Sequence, residues 1–440
     1  MQVIIESMTP ITLPNLPADS STLLSFYRDS LQNDVLPFWL ERTVDLDRGG
    51  IYTCLDQRSG AVLSEDKFVW SQARWVWVAS HAARMVDRGV IDLPKDALLT
   101  HARSTADFLL EHAFLENGAV AYLLTGGGAK EEFLPGKGHD LSFYGDGFVV
   151  LGLSALARAL NDAAYLERAI TSYASIRERL ASGNVRSEPY PLPPRHRAHG
   201  WPMIMLNVAQ ELSRAAQAMG DPRAPQFAAH ADAYMMDVMD HFVRADLLVS
   251  EVTSEDGASS LLTRHVTPGH AIESMWFVIE QALTTGHDAY AERARHVMSA
   301  SLQAGWDETH GGIFRYIDPT ESDKRPRGEP NGPFEALILD TWDTKIWWPH
   351  SEALYAALLS DRLAPGEHAE EHDRVFSYAY ATFPNPDRTI GEWVQIHDRQ
   401  GRAIDKVVGL PVKDPYHLSR NLLLIVELLA EGIERRTTDA

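Results

Sequence analysis

Cysteine is nearly absent: Cys54 is the single one among 440 residues. A lone cysteine excludes an internal disulfide and fits a reducing compartment, so the cytoplasm is the expected location. Long apolar runs are missing too. The longest, near Gly147 to Leu160, is interrupted by Ser154 and Arg158 and is too short and too polar to span a membrane. The start, MQVIIESMTPITLP, has neither a basic n-region nor a cleavable apolar run, so no signal peptide is expected. Basic residues are outnumbered, 40 against 61 acidic ones, for a formal charge of −21. That argues against nucleic acid as the main partner, although a local basic pocket for an anionic ligand is compatible with it. Metal and nucleophile motifs are lacking as well. There is no helical HExxH and no Cys/His cluster, so no metal is expected. There is no GxSxG elbow, and Gly126-Gly127-Gly128-Ala129-Lys130 lacks the spacing and the hydroxyl residue of a phosphate loop.

What is present is an ordinary globular composition, 45% hydrophobic and 23% charged, with helical periodicity throughout. About twelve helices are expected, near 19–41, 66–87, 97–114, 141–160, 162–181, 199–218, 224–242, 269–285, 288–304, 345–361, 368–382 and 414–434. Neighbours join through short turns such as Leu160-Asn161-Asp162 and Gly286-His287-Asp288, the pattern of stacked helical hairpins. Six such hairpins would close into an all-α (α/α)6 barrel, here one domain over 1–440 with residues 1–18 as an extended arm. A degenerate repeat joins helices: Gly49-Gly50-Ile51-Tyr52-Thr53, Gly311-Gly312-Ile313-Phe314-Arg315 and Gly391-Glu392-Trp393-Val394-Gln395. These read as short β-hairpins on one rim. Loops 182–198 and 318–334, rich in Pro, Gly and charge, read as lids or rim loops.

Two histidines share a local setting. Thr267-Pro268-Gly269-His270 is followed by Glu273, and Asp414-Pro415-Tyr416-His417 by Arg420. Each reads as a helix start, with Thr267 or Asp414 at the N-cap, proline at the first helical position and histidine at the third. The helix dipole favours neutral imidazole at both. One turn on, Glu273 should raise the pKa of His270 and Arg420 should lower that of His417. Groups tuned apart suit acid/base chemistry, although histidines at helix starts are often only structural and this chain has 18. Helix 66–87 carries Lys67, Trp70, Arg74 and Trp77 on one face, the wall of a wet pocket or a snorkelling face under a neighbour. Trp348 and Glu352 share a face of the helix opened by Lys345, and Lys413, His417 and Arg420 project to one side. Eleven tryptophans suit both sugar stacking and helical cores.

Five ordered motifs resemble the N-acylglucosamine 2-epimerase family, which includes cellobiose 2-epimerases and mannose or sulfoquinovose isomerases. They are GGIYTCLD with KFVWSQARWVW (49–56, 67–77), PGHAIESMWF (268–277), GWDETHGGIFRYID (305–318), KIWWPHSEALYAAL (345–358), and GEW with GLPVKDPYHLSR (391–393, 409–420). The WWPHSEA wording is closest to the N-acylglucosamine branch. The resemblance implies the same barrel and catalysis at C2 of an open-chain sugar by His270 and His417, with Glu273 partnering the first and Arg74 near O1/O2. It also implies a sugar pocket including Trp70, Asn207, Glu251, Trp348, Glu352 and Lys413. Asn207 stands where many isomerase and cellobiose-type members carry histidine, and Ser274-Met275-Trp276, Tyr416 and Ser419 also depart from the family wording. The activity implied is 2-epimerisation of N-acyl-D-glucosamine and N-acyl-D-mannosamine, without metal or other cofactor. Aldose–ketose isomerisation and glucose or cellobiose 2-epimerisation are the alternatives. A glycoside hydrolase using Glu273 and Glu352 is a lesser one. The partner is a small sugar, with neither nucleic acid nor membrane, and a homodimer is the candidate oligomer.

Overall fold

Twelve long helices alternate between an inner and an outer ring among the described residues, which are 20–407 and 411–438 (side chains to residue 432) of a computed structural model. The arm expected over 1–18 lies outside the described residues. Helix α1 runs through Ser20–Ser30, a π-turn at Leu31–Val35, and Leu36–Arg42. Then follow α2 Val69–Asp87, α3 Lys95–His112, α4 Phe143–Leu160, α5 Ala163–Ala181, α6 Gly200–Ala218, α7 Ala224–His241, α8 Pro268–Thr285, α9 Asp288–Gly305, α10 Trp347–Leu363, α11 Ala369–Thr382 and α12 His417–Thr438. Each even-numbered helix packs on the next even-numbered one, and α12 packs back on α2, so six inner helices close a ring. Each inner helix also packs chiefly on one outer helix, with α1 covering α12. This is the (α/α)6 barrel. Two short helices, Leu261–Arg264 and Pro333–Thr341, lie in connections.

Burial explains the composition of the rings. Inner helices are covered on nearly every side and are apolar around most of their circumference. In α4, the one helix among the described residues long and apolar enough to cross a membrane, 78% of residues are buried in the barrel. Gly152 lets α4 approach α2: a Cβ there would lie 2.5 Å from the carbonyl oxygen of Ala73. The predicted turns are built as expected. Asn161 ends α4 in the left-handed region (φ 52°), and Asp162 caps α5 by accepting from the amide of Ala164.

The rim repeat becomes legible as a unit. Outer helices lead into tight bridged hairpins, Val44↔Ile51, Phe114↔Val120, Val243↔Val249, Trp306↔Ile313 and Pro384↔Trp393. The three glycine-marked copies place two successive residues at positive φ: Gly49 and Gly50, Gly311 and Gly312, Gly391 and Glu392. Each copy binds a buried lysine that precedes an inner helix. Lys67 Nζ bonds Asp45 (2.8 Å) and the carbonyl of Gly49 (2.6 Å). Lys345 Nζ bonds the carbonyl of Gly312 (3.2 Å) and lies 3.3 Å from Asp307. Lys413 pairs with Glu392 and bonds the carbonyl of Trp393 (2.5 Å). His350 belongs to the same scaffold: its Nε2 accepts from the amide of Ile313 (2.9 Å), while Nδ1 donates to the carbonyl of Ile346 (2.7 Å). Burial pushes its pKa down to about 3, which keeps it the neutral acceptor that this amide needs.

Two expectations are corrected here. Lys67 is not a wall of a wet pocket. It sits in the strand Lys67–Phe68 ahead of α2, and its ammonium is fully buried. Lys413 is equally consumed by its hairpin, with 1% of its surface exposed.

Removing one partner of such a pair leaves a buried charge, which costs about 3–5 kcal/mol. Lys413→Met should therefore destabilise the protein by about that amount in urea unfolding, and Glu392→Leu in addition should recover part of it. A loss at the level of an exposed pair, below about 1 kcal/mol, would contradict the structural role.

Candidate active site

One end of the inner ring opens into a cavity of about 410 Å³, a size ordinary for small-ligand sites. Its floor and walls come from the starts of inner helices: Trp70 and Arg74 of α2, Phe148 of α4, His270 and Glu273 of α8, Trp348 of α10 and His417 of α12. Loop 182–198 contributes Pro189, Tyr190 and Leu192, and the helix after loop 318–334 contributes Phe334 and Leu337. The Tyr190 and Phe334 rings lie 5.9 Å apart, so loop 182–198 and this short helix meet at the cavity.

The two histidines face this one cavity, and each rests on a buried carboxylate. His270 Nδ1 lies 2.9 Å from Glu251 Oε1, and His417 Nδ1 lies 2.7 Å from Glu352 Oε1. A carboxylate accepts only, so each Nδ1 carries the proton and each Nε2 is left as the basic nitrogen. The Trp348 ring stands beside both imidazoles, 5.1 Å from His270 and 5.5 Å from His417. Gly269 makes this possible: a Cβ there would lie 2.5 Å from the Trp348 ring.

The partners differ from those expected by helical spacing. Glu273 does not hold His270. Its Oε1 accepts from Arg420 Nη2 (2.6 Å) and lies 3.8 Å from His417 Nδ1. The same Arg420 nitrogen donates to Glu352 Oε1 (2.6 Å). Glu352 also accepts from Asn421 Nδ2 (2.7 Å) and Trp276 Nε1 (2.8 Å). Burial alone would raise its pKa, but Arg420, His417 and Asn421 override burial and hold it well below the usual carboxylate range. Glu273, Glu352 and His417 have ligand atoms within 4.8 Å of one another, a spacing a metal ion would use. The guanidinium of Arg420 already supplies a cation to both carboxylates.

Asp414 does two jobs. Its Oδ2 accepts from the amides of Tyr416 (3.1 Å) and His417 (2.8 Å), although the helix begins at His417 and not at Pro415 as expected, and its Oδ1 accepts from Arg74 Nη1 (3.1 Å). Arg74 is thereby held over the Phe148 ring (4.0 Å) and beside Trp70 (4.8 Å). Thr267 occupies the other cap position, but its hydroxyl is buried and makes no cap bond.

Of the residues expected in the site, Trp70, Arg74, Glu251, His270, Glu273, Trp348 and His417 line the cavity. Glu352 lies beneath His417, fully buried. Asn207 and Lys413 do not reach it. Asn207 lines a separate cavity of about 260 Å³ with Trp77, Glu211 and Arg420. Trp77 points to that same cavity, where its Nε1 bonds Glu211 (3.0 Å). Sequence reasoning missed Arg315, Tyr144 and Trp347 in the lining. Arg315 carries one signal: it ends the second hairpin repeat, where the others have Thr53 and Gln395.

Burial would depress the pKa of His270, but the Glu251 carboxylate overrides it, with help from Glu273, and the value is raised above 6.5. Glu251 itself is brought down to about 2, chiefly by His270 against the effect of burial. His270 should therefore titrate above 6.5 by NMR, and Glu251→Gln should move its titration to lower pH, since the raising carboxylate is gone. An unchanged titration would contradict the pairing.

Comparison with known proteins places the chain in a family. The profile of the N-acylglucosamine 2-epimerase (GlcNAc 2-epimerase) family matches residues 49–420. The N-acylglucosamine 2-epimerase of Bos taurus is 29% identical over 429 residues, covering 91% of this chain and 90% of its own. Among solved structures, a cellobiose 2-epimerase from Spirochaeta thermophila superposes with a TM-score of 0.73 at 19% identity, covering 96% of this chain and all of that one. A D-mannose isomerase gives 0.73 at 16% identity, covering 94% and 99%. At such identities these two carry the fold alone. The profile and the full-length relative carry more: the chain belongs to the N-acylglucosamine 2-epimerase family and is a carbohydrate isomerase of the 2-epimerase kind.

Proposed function

We propose that the protein interconverts an N-acyl-D-glucosamine and the matching N-acyl-D-mannosamine by proton transfer at C2 of the open-chain sugar, with His270 and His417 as the two transferring groups. The observation that carries this is the pair itself: two imidazoles in one cavity, each with Nδ1 tied to a buried carboxylate and Nε2 free. The choice of an N-acyl sugar rests on the full-length relative, which bears that name.

The chemistry follows from what each group can do. A neutral histidine removes the C2 proton, and the electron pair moves onto O1 as an enediolate-like anion. Arg74 is aimed into the cavity and already held by Asp414 on one side, so it can donate to that oxygen as charge develops. The other histidine, protonated, returns a proton to the opposite face of C2. The Glu251 and Glu352 carboxylates fix the tautomers and stabilise the imidazolium that forms on each partner in turn. An acylamino group on C2 blocks the route to a ketose, so this substrate class and epimerisation go together. A hydrolase using Glu273 and Glu352 fits poorly, because Glu352 is buried under His417 and does not face the cavity.

Positioned acid/base groups contribute about 10²–10⁴-fold each. Incubation in heavy water with N-acetylmannosamine, mannose, glucose and cellobiose, followed by NMR, should place deuterium at C2 fastest in the N-acetyl sugar. His270→Ala and His417→Ala should each lower epimerisation by a factor in that range. Full turnover in either variant would sink the scheme.

A further inference from the structure

A third histidine stands behind the first. His199 is fully buried at the entrance to α6, and neither ring nitrogen has a hydrogen-bond partner among the described residues. Buried polar atoms left unpaired in a native fold call for an explanation. The acceptor nearest in role is Glu251: His199 Nδ1 lies 4.0 Å from Oε2, the oxygen that His270 does not use. This is too far for a hydrogen bond, yet short enough that a small rotation of either side chain closes it.

The approach is built into the backbone. Strand His196–Ala198 pairs antiparallel with Val252–Ser254, with Ala198 opposite Val252. The His199 amide donates to the carbonyl of Glu251 (2.9 Å), so the two residues are tied one step beyond the sheet. Phe242 stands beside the His199 ring at 5.7 Å. Burial pushes the His199 pKa down to about 4, so at neutral pH it is an uncharged ring that can donate one proton. The other titratable groups around this pair are His265, Arg315, Glu273, Tyr144 and Tyr316. His265 Nδ1 is already engaged with the carbonyls of Leu262 (2.7 Å) and Leu261 (3.2 Å), and Glu273 with Arg420.

We propose that His199 is a positioning residue: in the working enzyme its Nδ1–H donates to Glu251 Oε2, so that one carboxylate is clamped between two imidazoles and presents His270 at a fixed angle and basicity. The inference rests on His270 as a proton-transferring group.

The consequence has a sign. Glu251 relieved of the second donor becomes the stronger acceptor for His270 Nδ1–H. The imidazolium is then favoured, and the acid limb of kcat/KM moves to higher pH. His199→Phe keeps the ring volume and removes the donor. It should shift the limb upward and lower kcat/KM roughly tenfold or more, the scale of one hydrogen bond to a charged group. His199→Asn keeps a donor near the Nδ1 position and should restore the wild-type limb. A limb unmoved in folded His199→Phe, or moved equally in both variants, overturns the proposal. One wild-type measurement serves if the phenylalanine variant fails to fold. With ¹⁵N-labelled histidine and bound N-acetylglucosaminitol, His199 should be the Nδ1–H tautomer, and the Nε2–H tautomer would overturn the clamp. Failure of the two-histidine scheme looks different: His270→Ala would then keep full epimerisation turnover.

Discussion

A single nitrogen of Arg420 binds two buried carboxylates, and the geometry of the site depends on it. Glu273 comes from α8, Glu352 from α10 and Arg420 from α12, so this contact pins three consecutive inner helices at the level of the cavity floor. Taking three charges out of water is costly, and their attraction repays it only when the hydrogen bonds are complete. Here they nearly are: Glu352 also receives His417, Asn421 and Trp276, while the guanidinium stacks on Tyr416 at 4.4 Å. The cluster fixes where His417 stands and which nitrogen it offers. A guanidinium holds its charge at every working pH, so the support does not titrate with the histidine it carries.

The other histidine is supported differently. Its carboxylate, Glu251, comes from a rim connection rather than an inner helix, and that connection is tied to the entrance of α6 by the strand pair 196–198 and 252–254. The barrel therefore presents two imidazoles with matching tautomers from unlike scaffolds, one rooted in the ring and one in the rim. Trp348 stands beside both and spaces them. Three hairpins of the rim are bound by the buried lysines 67, 345 and 413, each spent on a hairpin carboxylate and carbonyl.

Much of this was legible in the chain. Helical period, the Asn161 and Gly286 turns and the recurrent glycine pairs led to a six-hairpin ring with β-hairpins on its rim, because inner helices must be apolar and positive φ favours glycine. The two Pro-x-His helix starts did bring His270 and His417 to one cavity. Partner assignment was not legible. Spacing along a helix paired His270 with Glu273, whereas Glu251 lies 19 residues upstream, in the connection that leads to α8, and follows no local rule. Helical spacing also carried Lys67 onto the α2 face, although the helix begins at Val69 and the lysine belongs to the strand before it. Lys413 looked like part of a cationic face, but Glu392, in the last hairpin of the rim, had already claimed it. Asn207 faces inward, one turn further along α6 than the residues that line the larger cavity.

The central claim is that two opposed histidines, not one, handle the proton at C2. It is tested most directly by the fate of a label on the substrate. N-acetylmannosamine carrying deuterium at C2 is converted in ordinary water and sampled by mass spectrometry during the first per cent of turnover. Two separate groups predict N-acetylglucosamine with a solvent proton at C2 and no transferred deuterium. Product that keeps the original deuterium would mean that one group carries it from face to face, and would contradict the account.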